Sequence, residues 1–301
     1  MTLRVGAYTE ACNEAMKKAR ELGVYAIVRI QDKTERAVGV VNGQTDVLSV
    51  EEISGVGVQV FTFEGYSGFA SSDVITSESL VELVESATNL ARTSGKYGAE
   101  PSREINQARP LIRDIDVHVP MGLDSISHKE EERLVSEICR AAMEIDQRLA
   151  VRSFYRIANE QWRIVRSDGT DTMFSIPRSA AMSMMTARGN GRAASANASL
   201  SGADAGIIAS VEGRTRLEKR TRKAALTSLA LLDAPRASAG SYRVVIDYAL
   251  AKGLAHEAFG HAAECDGMET SILGLNGKFR KGHRVASEIV NIVDGPVEGD
   301  Y

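Results

Sequence analysis

Hydrophobic spacing changes from helical to strand-like early in the chain. Between Thr9 and Gly23, alanine and leucine recur every three or four residues, which predicts a helix that Thr9 caps and Gly23 ends. Residues 24–30, VYAIVRI, are rich in β-branched side chains and predict a buried strand. The strand pattern continues to Asn42-Gly43, a typical hairpin turn.

A second hairpin and a second helix complete the N-terminal region. Residues 55–74 predict two strands that flank a turn at residues 65–68. Residues 77–93 carry an apolar stripe at helical spacing. The polar stretch 95–110 is typical of a linker. We therefore expect an N-terminal α+β domain over residues 1–108.

The next region opens with a helix and continues with strands. Ser127 and Glu130 have the spacing of a capping box at a helix start. Residues 153–210 alternate between apolar and polar side chains around turn sequences at residues 167–169 and 189–191. This pattern predicts antiparallel strands in a large sheet.

The last third of the chain predicts a helix, a strand and another helix, at residues 214–232, 242–247 and 249–264. The predicted fold class is α+β. An N-terminal α+β domain is followed by a large, mostly antiparallel sheet domain over residues 109–301, which carries the final helix.

Composition and charge narrow the class of protein. The chain has 36 Lys and Arg against 40 Asp and Glu, a formal charge of −4, so it lacks the basic excess of nucleic-acid-binding proteins. The sequence contains no run of 18 apolar residues, so it predicts no membrane-spanning helix. Cys12, Cys139 and Cys265 form neither a CxxC pair nor a disulfide framework. We expect a cytoplasmic protein with reduced thiols that binds neither nucleic acid nor membrane.

The clearest chemical signal is an HExxxH sequence, HEAFGH, at residues 256–261. Imidazoles such as those of His256 and His261 are common zinc ligands. Glu257, beside the first histidine, can act as general base toward a water whose pKa a metal has lowered. These residue types favour zinc-dependent hydrolysis of a peptide bond.

The spacing of the two histidines requires an irregular helix. Histidines four apart are separated by about 40° around an α-helix and can share one ion, whereas histidines five apart are separated by about 140°. One inserted residue, a π-bulge, would restore convergence, and Gly260 is expected to reduce the strain. We predict a locally irregular helix over Ala258–His261. The alternative is a regular helix with two histidines on different faces.

This motif and its surroundings resemble the TldD/PmbA family of zinc metalloproteases, and in particular its motif-bearing, TldD-type members. The family pattern H-E-A-x-G-H-x-x-E is matched by HEAFGHAAE at residues 256–264, with YRVVID before it and RVASEIVNIVDG after it. Residues 55–73 are similar to the family's N-terminal hairpin, and the strands within residues 153–210 are also similar.

The resemblance implies that His256 and His261 bind Zn²⁺ and that Glu257 is the catalytic base. It also implies an α+β fold and a peptide substrate that binds in an extended form within a closed channel. The expected partner is a PmbA/TldE-like sister subunit that lacks the motif, or a second copy in a homodimer.

A third protein ligand is expected because catalytic zinc usually has three. In the family that the chain resembles, this ligand is a cysteine far downstream, which would lie beyond Tyr301 in what resembles a C-terminally shortened member. The alternatives are a ligand from another chain or Cys265 within this chain. A small, partly buried thiol is the other interpretation of Cys265. Glu264 is the candidate for a carboxylate that orients a ligand imidazole.

The sequence therefore favours a zinc-dependent metallopeptidase that hydrolyses unfolded or extended peptides. The alternative is a non-catalytic, peptide-binding or regulatory subunit of the same fold, with a role of the gyrase-modulator type. The joint presence of His256, Glu257 and His261 favours the enzyme, because a subunit that had lost catalysis is expected to lack at least one of them. The shortened chain can be inactive alone even if the whole protein is an enzyme.

Overall fold

The computed structural model describes residues 3–98, 101, 109–264, 267–275 and 278–295. The chain groups into two compact units, Met1–Ala234 and Pro235–Tyr301, which are described separately below. The boundary inferred from the sequence, after residue 108, stays a prediction.

The first unit combines one large sheet with helices. Its strands are β1 (Tyr25–Val41), β2 (Gln44–Phe61), β3 (Ser67–Ser72), β4 (Ile112–Ile115), β5 (Leu149–Arg166), β6 (Asp171–Gly189) and β7 (Arg192–Gly202). Its α-helices are α1 (Thr9–Leu22), α2 (Ser77–Lys96), α3 (His128–Met143), α4 (Gly206–Ala209) and α5 (Val211–Leu232). The predicted combination of helices with a large, mostly antiparallel sheet is confirmed.

The sheet has the strand order β3-β2-β1-β5-β6-β4, and β7 also pairs with β6. Every pairing is antiparallel except the parallel pairing of β4 with β6. Strand β1 has 17 residues, which corresponds to a length of about 55 Å at the usual rise per residue. It pairs along most of this length with β2 on one side and β5 on the other. The Asn42-Gly43 turn between β1 and β2 has positive φ at both residues, as a tight hairpin requires.

Two hydrophobic clusters lie along the same side of β1. Alternate residues of a strand point to one face, and the even-numbered Ala26, Val28 and Ile30 pack with α1 and α2. Further along, Val38 and Val40 pack with α3, α5 and strands β5 to β7. Both helix layers therefore cover the same face of the sheet, at opposite ends of one long strand.

Local signals placed most helix boundaries correctly. Gly23 ends α1 in the left-handed conformation, with φ of 67°. The Ser127 side chain accepts a hydrogen bond from the backbone N–H of Glu130 at the start of α3, as predicted. Thr9 does not cap α1, because it is the first helical residue and its hydroxyl donates to the carbonyl of Gly6.

Two cysteines, Cys12 and Cys139, are buried free thiols, and burial raises the pKa of Cys12 to about 11. Among the residues that the structure describes, no helix has the length and hydropathy that a bilayer crossing requires.

The second unit carries the HExxxH motif. Helix α6 (Tyr248–Ala255) is followed by a π-helical turn, His256–Gly260, and by a 3₁₀ turn, His261–Ala263. A short hairpin follows, formed by β8 (Gly274–Leu275) and β9 (Lys278–Phe279).

The strand predicted at residues 242–247 is wrong. Residues 241–247 have neither helical nor strand structure. Val244 and Val245 are 69% and 95% exposed. A β-branched sequence forms a strand only where a neighbour pairs with its backbone, and no strand within the described residues pairs with this segment.

Candidate metal centre

The motif lies on a helix that widens at the first histidine. Asp247 immediately precedes α6 and caps it, because its Oδ1 accepts a hydrogen bond of 3.1 Å from the backbone N–H of Leu250. After Ala255 the backbone adopts the π form, in which the N–H of His261 donates to the carbonyl of His256, five residues earlier. The irregular helix that the five-residue spacing predicted is therefore present.

Glycine is not what makes this turn possible. Gly260 has φ of −56° and ψ of −56°, an ordinary right-handed helical conformation. A Cβ atom there would meet the Nδ1 atom of His256 at 3.7 Å, an ordinary van der Waals contact. Gly260 was expected to relieve backbone strain, but its conformation is one that any residue can adopt.

The widened turn brings the two imidazoles together. Their ring centroids are 4.5 Å apart, with an angle of 67° between the ring planes. One ligating atom each from His256, Glu257 and His261 all lie within 4.8 Å of one another. Among the described residues, this is the one group of three or more His, Cys, Asp or Glu side chains with the proximity that a metal ion needs. Histidines on different faces of a regular helix are therefore excluded.

Glu264 contacts the second histidine from outside the group. Its Oε1 lies 2.9 Å from His261 Nδ1, whereas His261 Nε2 lies 3.8 Å from Oε2 of Glu257. In the tautomer whose Nδ1–H donates a hydrogen bond to Glu264, Nε2 carries a free lone pair on the side of Glu257. This is the arrangement by which a carboxylate fixes the tautomer of a metal-binding imidazole.

The group is open to solvent. The side chains of Glu257 and His261 are 72% and 50% exposed, and His256 is also exposed. Two imidazole nitrogens and a carboxylate are donors that Zn²⁺ accepts. The residues present therefore fit a zinc ion.

Among the residues that the structure describes, we assign no third protein ligand in addition to the two histidines. Cys265, the alternative that the sequence suggested, lies outside the described residues. Glu264 directs an oxygen at His261 rather than at the centre of the group. Sequence reasoning missed the cap that Asp247 provides, although an Asp immediately before an apolar helical segment is a recognised signal for it.

Comparisons with known proteins agree with the motif. The family model described as PmbA/TldA metallopeptidase domain 1 matches residues 26–91, and the model of the PmbA/TldA metallopeptidase C-terminal domain matches residues 239–300. A metalloprotease of Methanocaldococcus jannaschii is 23% identical over 291 residues, which are 96% of this chain and 62% of that protein. The chain thus spans less than two thirds of the length of this relative.

Solved structures share the fold. A protein of Bacteroides thetaiotaomicron, described as a candidate modulator of DNA gyrase, superposes with a TM-score of 0.68 at 17% identity, over 87% of this chain and 58% of that one. TldE of Thermococcus kodakarensis superposes with a TM-score of 0.57 at 12% identity, over 71% of this chain and 47% of that one. At these identities the likeness shows the fold alone.

The two family models match separate segments of the chain, the second match includes the HExxxH motif, and the fold is shared with the solved structures described above. In sequence, the chain is thus similar to PmbA/TldD metallopeptidases over two separate segments, residues 26–91 and 239–300.

Proposed function

We propose that the chain is the motif-bearing part of a zinc-dependent metallopeptidase that hydrolyses unfolded or extended peptides. The observation that supports this most directly is the convergence of His256, Glu257 and His261 at the π-helical turn. In the proposal, His256 and His261 bind Zn²⁺, and Glu264 holds the His261 ring in the orientation that leaves Nε2 free. A bound zinc ion supplies a lowered water pKa and polarisation of the scissile carbonyl.

Glu257 performs the proton transfers. Its exposed carboxylate accepts a proton from the attacking water as the oxygen of that water bonds to the carbonyl carbon. The same carboxyl group then delivers the proton to the amide nitrogen as the carbon–nitrogen bond breaks. The base and ligand functions thus belong to different residues, so they can be separated by substitution.

The wider assembly is also part of the proposal. The two imidazoles leave room for a further protein ligand, and we propose that it comes from sequence beyond this chain. TldE shares the fold, which supports pairing with a sister subunit of that kind or with a second copy. The cysteine pattern supports a cytoplasmic location.

Elemental analysis of the whole protein, alone and with its partner subunit, tests the ligand assignment. We expect about one zinc per chain in the wild type, loss of zinc in His256→Ala and His261→Ala, and no loss in His283→Ala, an exposed histidine of the same unit. Full zinc content in His256→Ala would refute the assignment. Zinc binding without hydrolysis of any unstructured peptide would favour the regulatory subunit instead.

A further inference from the structure

A segment downstream of the HExxxH motif contacts the end of the motif helix, which is α6 together with its π and 3₁₀ turns. The hydroxyl of Ser271 donates a hydrogen bond to the backbone carbonyl of Ala262, nine residues earlier. Ala262 is the middle residue of the 3₁₀ turn His261–Ala263, which begins with the second histidine. A residue outside the motif is thus bonded to the turn that carries a candidate metal ligand.

The carbonyl that Ser271 binds lies where a helix needs partners from elsewhere. The last carbonyls of a helix have no acceptor role within the helix itself, so other donors must satisfy them. Here the carbonyl of His261 accepts a hydrogen bond of 3.3 Å from the backbone N–H of Glu264. The next carbonyl, that of Ala262, accepts from Ser271. The end of the motif helix is therefore closed by one local bond and one bond from a later segment.

Ser271 is itself held in place on both sides. Its backbone N–H donates to the carbonyl of Gly267 at 2.9 Å, and its Oγ accepts from the N–H of Leu273 at 3.1 Å. A Cβ atom at Gly274 would lie 1.8 Å from the carbonyl oxygen of Met268, so the chain passes too close to this turn for any other residue. A donor that is fixed in this way can fix its acceptor in turn.

The 3₁₀ turn determines where Glu264 lies. Glu264 follows the turn with an extended backbone (φ −68°, ψ 135°), and its carboxylate lies 2.9 Å from His261 Nδ1. The carbonyl of Ala262 belongs to a peptide group between these two residues. Rotation of that peptide group would move the carboxylate relative to the imidazole, and the bond from Ser271 opposes such a rotation.

Hydrogen bonds matter here because the second unit buries little apolar surface. Leu273 is the one buried hydrophobic residue among the residues of this unit that the structure describes. A helix end with few buried apolar contacts opens locally at a small cost in free energy. Its geometry therefore depends on the polar contacts that close it.

We propose that Ser271 is a positioning residue of the metal centre, which fixes the turn that holds His261 against Glu264 by binding the carbonyl of Ala262. Ser271 touches neither ligand side chain and acts through the backbone. The consequence for zinc rests on the proposed function, whereas the contact with the turn belongs to the metal-free chain and can be tested there.

Hydrogen-exchange mass spectrometry of the metal-free whole protein tests the contact. Ser271→Ala removes the donor, so the amides of residues 256–264 should exchange about fivefold faster, as expected for the loss of one hydrogen bond of ordinary strength. Ser271→Thr keeps the hydroxyl and should restore the wild-type rates. Thr270→Val is the matched control, because the hydroxyl of Thr270 donates within its own turn, to the carbonyl of Gly267.

Metal affinity, measured by competition with a chromophoric chelator, tests the consequence for the site. Ser271→Ala should bind zinc about fivefold more weakly, a smaller loss than the 10–100-fold typical for removal of a direct partner of a ligand imidazole. The absorption bands of Co²⁺ bound in place of zinc should change as well, because they report the ligand geometry. Ser271→Thr should recover both properties, and Thr270→Val should match the wild type.

Wild-type exchange rates or wild-type zinc affinity in Ser271→Ala would overturn the proposal. Equal effects in Thr270→Val, or no recovery in Ser271→Thr, would also overturn it. Absence of zinc from the wild-type protein, together with faster exchange in Ser271→Ala, would instead refute the proposed function and leave Ser271 as the residue that fixes the His261–Glu264 pair.

Discussion

The buried Arg36–Glu131 pair and the exposed His256–Glu257–His261 group both combine a carboxylate with nitrogen-containing side chains, but they differ in whether a positive charge already faces the carboxylate. Arg36 and Glu131 form a contact of 2.7 Å, with the Glu131 side chain fully buried. Arg36 also donates to the backbone carbonyls of Leu123 and Ile126. By contrast, the His256–Glu257–His261 group is exposed and directs electron-pair donors toward one another.

The difference separates a structural role from a binding role. In the first group a cation is already present, as the guanidinium of Arg36, and it joins β1 to the segment before α3. In the second group three lone-pair donors converge, an arrangement that a proton or a metal cation stabilises. Convergence of donors, rather than the mere presence of charged side chains, therefore indicates a ligand.

The largest expected effect concerns Glu257. Glu257→Ala in the whole protein should lower the rate of peptide hydrolysis by about 10²–10⁴-fold, because general base catalysis contributes about that much. Its zinc content should not change, since the imidazoles hold the metal in the proposal. Peptide assays together with elemental analysis check both expectations, with Glu269→Ala, an exposed acid of the same unit, as control. Wild-type activity in Glu257→Ala would contradict the mechanism.

A substitution in the buried Arg36–Glu131 pair should change the stability of the protein rather than its activity. Arg36→Met leaves Glu131 without its counter-charge and two carbonyls without a donor, and should lower the free energy of unfolding by about 3–5 kcal/mol at neutral pH. Urea denaturation measures this loss. Arg140→Met, at an exposed position of α3, should change it by less than about 1 kcal/mol. Equal stability of the two variants would show that the buried pair contributes nothing.

Glu264 should have an intermediate effect on the exposed group. Glu264→Ala removes the acceptor at 2.9 Å from His261 Nδ1 and should weaken zinc binding by about 10–100-fold. Competition with a chromophoric chelator measures the affinity. Glu264→Gln keeps an oxygen acceptor, so it should recover part of the loss. Unchanged affinity in both variants would rule out the orienting role.

The smallest expected effect is the pH dependence of the buried group. Burial raises the pKa of Glu131 above its usual value of 4.5, and the adjacent Arg36 opposes that rise. A carboxyl whose pKa is higher in the folded state binds a proton more readily there, so its contribution to stability is present below pH 4.5 and is lost as the pH rises through the folded pKa. The free energy of unfolding of the wild type, minus that of Glu131→Gln, should therefore decrease as the pH rises. An increase with pH would show that Arg36 outweighs burial.

The sequence predicted features that depend on neighbouring residues. Turn chemistry at Asn42-Gly43 and the cap at Ser127 are local, and both are present. The five-residue histidine spacing predicted the π turn because only an added residue brings the imidazoles together. The resemblance to the PmbA/TldD family, carried by the same motif, is confirmed by the family models.

Features that depend on distant pairing were not predictable in this way. Residues 242–247 have the composition of a strand, but local composition does not reveal whether a partner strand exists. The row of polar residues that crosses β2, β1 and β5 was missed for the same reason. Thr34, Glu52 and Asn159 become neighbours only through the register of β2, β1 and β5.

The length of β1 has a consequence for how the chain responds to cleavage. Because β1 pairs with β5 through residues 27–41, the sheet bridges any cut made between Lys96 and His128. Trypsin nicking there would leave two fragments that co-migrate on gel filtration and separate only in denaturant. The hydrogen bonds between β1 and β5 would thus hold the two parts of the first unit together after the backbone is cut.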